Sequence, residues 1–223
     1  MQLHRLVQQG KVWQAGQQSP AGDEQSHASG FAELDRCFAG QGWPGNCLIE
    51  LLCDQPGQGE LSLLLPLLKQ LQSESEHCLI WVDPPMWLCA PALVNAGLKL
   101  EQLVTVTTRS RRDRLWTLEQ ALRSGCCPAV LGWLPQADAK ALRRLQLAAA
   151  EGQSRGFLFR PQACAQESSS APYRLSLSRQ PEGVDVSLLK RRGGWPLPAQ
   201  SISLPSHPFL TSSTAKPRLG LVQ

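Results

Sequence analysis

The sequence predicts an α/β fold, a mostly parallel sheet flanked by helices with antiparallel strands at the C-terminal end. Three observations carry that prediction. Apolar runs alternate with helix-periodic runs from Cys47 to Phe159, as in strands joined by crossover helices. The apolar runs are nearly continuous, which suits strands buried on both faces. After Pro161 the pattern changes to period-two alternation, the mark of antiparallel strands.

In chain order, Leu3 to Trp13 places Leu3, Leu6, Val7 and Trp13 as in a short amphipathic helix, and Gln14 to Ser29 is an aperiodic, flexible linker. Phe31, Leu34 and Phe38 recur at helical spacing before Gly40 to Gly45 breaks the pattern. Strands are predicted at Cys47–Cys53, His77–Asp83, Leu103–Thr107, Ala129–Leu134 and Gly156–Phe159. Helices are predicted at Leu61–Gln72, Ala90–Ala96, Arg112–Arg123 and Ala137–Ala150, with Pro66 a kink or a new turn inside the first. Tyr173–Ser178 and Val184–Leu189 are antiparallel strands turned at Gln180 to Gly183, extending one edge of the sheet. From Trp195 onward proline and serine dominate without periodicity, which predicts an extended tail. The expected organisation is a helix and linker over residues 1–29, one domain over 30–194 and a tail over 195–223.

A chain of 223 residues with 42% hydrophobic and 18% charged residues suits one globular core. No apolar run approaches the ~18 residues of a membrane span, and the first eleven residues lack the apolar centre of a secretion signal, so a cytoplasmic protein is expected. The eight cysteines form no C-x-x-C pair and no cluster with histidine, and most sit beside apolar neighbours as core residues. A redox role for the vicinal pair Cys126-Cys127 is the rival reading. Basic residues cluster at Arg109–Arg114, Arg143–Arg144 and Lys190–Arg192. Each is either a solvated face or a contact for phosphate, including DNA.

The turn after the first core strand carries the sharpest signal. A phosphate-binding loop reads G-x-x-x-x-G-K-[ST]: its lysine and backbone amides hold phosphates and its hydroxyl holds Mg²⁺. Here the register reads Asp54-x-x-x-x-Gly59-Glu60-Leu61. A carboxylate stands for the lysine and leucine for the hydroxyl. Asp54 and Glu60 would face a polyanion, and like charges about 4 Å apart repel by about 4 kcal/mol at an effective dielectric of about 20. No nucleotide, metal or other cofactor is expected.

Gly30-Phe-Ala-Glu-Leu-Asp35 followed by Gly42-Trp-Pro-Gly-Asn-Cys-Leu-Ile-Glu-Leu51 resembles the stretch that leads RecA-like recombinases into their phosphate loop. More specifically, Leu51–Glu60, Ala121–Gly125, Ala141–Ala148, Gly156–Pro161 and Leu189–Gly194 resemble ImuA, a RecA-like accessory of damage-induced mutagenesis, with SulA-type division inhibitors as close relatives. The resemblance spans residues 30 to 195 and implies a RecA-like fold. In that register the catalytic glutamate falls on Pro85 and the Mg²⁺-orienting aspartate on Trp133, so metal positioning and water activation both lack their residues. No enzymatic activity is expected. Lys190 and Arg192 match a K-x-R-x-G finger, so Lys190, Arg191 and Arg192 are candidates for a partner's phosphates or DNA, the alternative being a solvated strand end.

The resemblance implies a non-catalytic accessory of translesion DNA synthesis in the SOS response. Its partners would be RecA, an ImuB-like polymerase homologue and, indirectly, an error-prone polymerase. Two alternatives stand beside it. One is a SulA-like SOS inhibitor binding the tubulin-like division protein, against which the long N-terminal segment and tail argue. The other is an ATP-dependent recombinase. Among aromatics, Trp81 and Trp116 are expected in the core. Trp43, Trp87 and Trp195 fall in predicted loops, and Trp195 and Phe209 are docking candidates.

Overall fold

The computed structural model of the chain describes residues 26–38, 42–85 and 88–205. The predicted N-terminal helix, the linker as far as residue 25, Trp87 and Phe209 lie outside these residues. Element order is α1 (Ala32–Cys37), β1 (Leu48–Cys53), α2 (Glu60–Glu74), β2 (Leu79–Val82), α3 (Ala90–Asn95), β3 (Leu103–Val106), α4 (Arg111–Arg123), β4 (Ala129–Trp133), α5 (Ala139–Glu151), β5 (Arg155–Pro161), β6 (Tyr173–Gln180), β7 (Gly183–Lys190) and β8 (Leu197–Ser203). Short 3-10 turns precede β3 and follow β5.

These strands form one eight-stranded sheet in the order β3-β2-β4-β5-β1-β6-β7-β8. Strands β3 through β6 in that order pair in parallel, whereas β7 and β8 are antiparallel. The mixed α/β expectation therefore holds, with helices and C-terminal antiparallel strands. One element was missed. Residues Leu197–Ser203, expected to trail as a tail, form β8, and Ile202 is buried in the core opposite Val184. Its signal was weak because most of its residues are exposed on this edge strand.

The sheet is buried between two apolar layers. One face packs Ile49, Leu51 and Phe157 with the leucines of α2. The other packs Leu48, Val130 and Leu158 with Leu118 and Leu122 of α4 and Leu142 and Leu145 of α5. All six residues of β1 are buried, as expected of a strand covered on both faces. Helix α2 runs through Pro66 without ending there. Helices α4 and α5 begin at side-chain caps, Ser110 accepting from the Asp113 amide and Asp138 from the Ala141 amide.

The aromatic assignments divide. Trp81 is fully buried as expected, but Trp116, expected in the core, is 62% exposed on α4. Trp43, expected in a loop, has no accessible surface: it pairs with His27 in an isolated bridge and packs edge-on against Phe157. Five of the eight free cysteines are buried, while Cys89 and Cys126 are exposed.

Candidate functional site

The carboxyl ends of β1, β2, β4 and β5 surround a cavity of about 320 Å³, the end of a parallel sheet where α/β proteins bind ligands. Residues from the altered loop form one wall, including Cys53, Asp54, Pro56 and Glu60. Gly57 and Gly59 both take positive φ, at 85° and 100°, a backbone that favours glycine at each position. A Cβ on Gly59 would also stand 2.6 Å from Leu204 Cδ1, which packs beneath the loop.

The loop is already occupied by the chain itself. Glu60 opens α2 at 3% exposure, and its Oε1 accepts the Gly57 N–H at 2.7 Å. A carboxylate thus sits at a helix start and on a loop amide, where a phosphate oxygen would otherwise go. Glu60 Oε2 has no hydrogen-bond partner among the described residues. Burial pushes the neighbouring Cys53 thiol up to about 12, with Glu60 and Asp54 adding to the shift, so the thiol stays protonated.

The other two positions inferred from the register also reach this cavity. Pro85 is exposed at its rim. Trp133 ends β4 at 8% exposure and stacks on Phe159, ring centroids 4.5 Å apart and planes at 21°. An indole therefore forms this part of the cavity wall. Leu61 is only partly buried and packs against the core. Asp54, Glu60, Pro85 and Trp133 therefore line one cavity, with Gly59 next to Glu60 in the chain.

Sequence reasoning missed the arginines. The Asp83 carboxylate, at the end of β2, accepts the Thr108 amide at 2.6 Å, the Thr108 hydroxyl at 2.5 Å and the Arg114 guanidinium. Burial pushes the Asp83 pKa up, but the bonds from Thr108 and Arg114 outweigh it and hold the group below its ordinary value. A depressed folded-state value means that this contribution is present above the unfolded carboxylate range, about pH 4, and is lost as pH falls through the folded value. Arg114→Gln is therefore expected to flatten the acid side of the stability profile. Urea midpoints between about pH 2 and pH 6 test this, and an unchanged acid slope would remove the pair from the account.

Arg160 joins the cavity to a buried ion cluster. Its side chain is inaccessible and donates to Glu50 Oε1 and Glu167 Oε2, both at 2.9 Å. Glu50, also inaccessible, accepts from Arg174 Nε at 2.5 Å and from the Ser169 hydroxyl at 3.0 Å. The available signal was a glutamate in the middle of an apolar strand, since such a charge is rarely buried unpaired.

The basic finger lies elsewhere. Lys190 ends β7 opposite Arg174, near the start of β6, away from the cavity end of the sheet. Its ammonium donates to the Ser169 carbonyl at 2.9 Å. Arg191 folds back, donating to the Trp195 and Cys37 carbonyls at 2.9 and 3.1 Å. Arg192 is exposed, and Trp195 is 83% exposed. The two helix clusters are partly consumed by internal pairs, Arg114 with Asp83 and Arg144 with Glu119. A second cavity, about 540 Å³ in volume, contains His27, which contacts Glu74 at 2.9 Å and Arg155 at 2.5 Å.

Sheet and loop define a class of mixed α/β protein in which the turn after the first core strand holds a buried carboxylate against its own backbone amide. The family model for the cell division inhibitor SulA matches residues 48–156, from β1 into β5. The cell division inhibitor SulA of Photorhabdus laumondii subsp. laumondii is 40% identical over 115 residues, covering 52% of this chain and 64% of that protein. The Serratia marcescens cell division inhibitor SulA is 34% identical over 113 residues, covering 51% of this chain and 67% of that protein. The crystal structure of SulA from Pseudomonas aeruginosa aligns at 29% identity and a TM-score of 0.43, covering 51% of this chain and 97% of that one. The chain belongs to the SulA cell division inhibitor family, although it spans less than two thirds of the Photorhabdus relative.

This corrects the ImuA assignment. The translesion accessory role, and RecA, the ImuB-like protein and the error-prone polymerase as partners, fall with it, because the matching family and relatives are division inhibitors.

Proposed function

We propose that this chain is an SOS-response inhibitor of cell division that acts without catalysis, by binding the tubulin-like division protein in the cytoplasm. The observation that carries this reading is the 34% identity across 67% of the Serratia marcescens inhibitor. The altered loop supports the non-catalytic part, since Glu60 supplies the negative charge where a nucleotide's phosphate would need a lysine. No described helix is long and apolar enough to cross a membrane. The RecA-like character of the fold rests on the resemblance and on the parallel sheet with its loop at the carboxyl ends of the strands.

Within this proposal, residues 30–194 form the domain that the flanking segments 1–29 and 195–223 accompany, with β8 added to its edge. Lys190, Arg192 and Trp195 remain the candidate partner contacts at the end of β7, whereas Arg191 braces the turn. Expression in a rod-shaped bacterium is expected to give filaments. Purified protein is expected to lower polymer yield of the division protein in proportion to its concentration, as read by sedimentation. Normal cell length together with undiminished polymer, from folded protein, would overturn the proposal.

A further inference from the structure

We propose that the cavity at the carboxyl ends of the strands receives an arginine side chain presented by a partner protein, reversing the charge preference of a phosphate loop. This does not depend on the division-inhibitor reading. The charges around the cavity divide into answered and unanswered. Asp83 is met by Arg114 and Thr108, and Arg160 is met at its Nη atoms by Glu50, Glu167 and the Ala137 carbonyl, its buried Nε having no partner among the described residues. Glu60, almost wholly buried and lining the cavity, is answered only at Oε1, and Oε2 has no partner among the described residues. Asp54, exposed on the same wall, adds a second carboxylate.

A buried carboxylate oxygen without a donor is costly, and a cationic donor offsets that cost best. Among the described residues no group of three or more metal-type side chains could hold a metal ion. The remaining wall is mostly apolar, made of Trp133, Phe159, Pro56, Pro85, Pro135 and Pro161 beside Gln55. A guanidinium matches both requirements, being planar, weakly hydrated, able to stack on rings and rich in directed donors, whereas a lysine ammonium is a strongly hydrated point charge. The volume of about 320 Å³ leaves room for one long side chain. Protonated Cys53 fits the same field, because burial and the two carboxylates all disfavour its thiolate.

The test uses a capped Gly-Arg-Gly peptide, its citrulline counterpart and ATP, each titrated into the ¹⁵N-labelled full chain. The arginine peptide is expected to move the Gly57, Gly59 and Glu60 amides saturably, while citrulline, equal in shape but neutral, leaves them in place. Glu60→Gln keeps an oxygen for the Gly57 amide and is expected to weaken the arginine peptide about tenfold through loss of the charge-assisted contact. Asp54→Asn, at an exposed position, is the second variant and is expected to weaken it by a smaller factor. Equal shifts with citrulline, no shifts with arginine, indifference of both variants, or ATP shifting the same amides would each overturn the proposal.

Discussion

Glu50→Ala is expected to lower unfolding stability by about 3–5 kcal/mol, as when one member of a buried charge cluster is removed. Glu50 has no accessible surface and holds Arg160, also inaccessible, together with Arg174, whose side chain is 8% exposed. Removing the carboxylate leaves two buried guanidiniums facing each other without compensation. Arg174 would retain the carbonyls of Cys164, Ala165 and Glu167, and Arg160 would retain Glu167, so the damage centres on the lost charge. Since a domain of this kind has about 5–15 kcal/mol in total, the variant is expected near the limit of folding. Urea denaturation followed by circular dichroism measures it. A loss under about 1 kcal/mol would mean that water reaches the cluster and compensates it.

Trp43→Ala is expected to cost about 3–5 kcal/mol, the range for a large aromatic truncated in a packed core. Its indole is inaccessible and touches Phe38 at a centroid distance of 5.1 Å and Phe157 at 5.4 Å. The backbone of the same residue exchanges two hydrogen bonds with His27, so the indole also anchors the segment entering α1. Trp195→Ala is the internal control: the side chain is 83% exposed, and its removal should change stability by no more than about 0.5 kcal/mol. Thermal unfolding of the two variants side by side decides the matter. Comparable losses would contradict the packing described for Trp43.

The strand and helix pattern was legible because β1, β4 and β5 are buried on both faces and so are written in continuous apolar residues. The placement of Glu60 at the start of α2 was legible because the turn between an apolar strand and a helix is marked by local residues. Trp43 was not legible. Proline and glycine beside it marked a turn correctly, but nothing local says that a turn folds under the sheet onto Phe157. Trp116 failed in the opposite sense: its helix is amphipathic, yet Leu115 and Leu118 take the inward positions and leave the indole facing out. Strand β8 was hidden because an edge strand needs apolar residues only where it meets the core, and Ile202 is its one buried position. The family assignment went astray for a related reason. Part of the resemblance to ImuA rested on residues 157–161 and 189–194, outside the stretch that the SulA family model matches.

Leu204 gives β8 a further consequence. Its amide bonds to the Glu182 carbonyl at 3.3 Å, while its side chain lies where a Cβ on Gly59 would have to go. Leu204, just past β8, therefore serves as a floor for the carboxylate loop. Shortening the chain to Gly194 would do more than remove an edge strand. It would free the backbone at Gly59 to relax and would change the shape of the cavity from beneath.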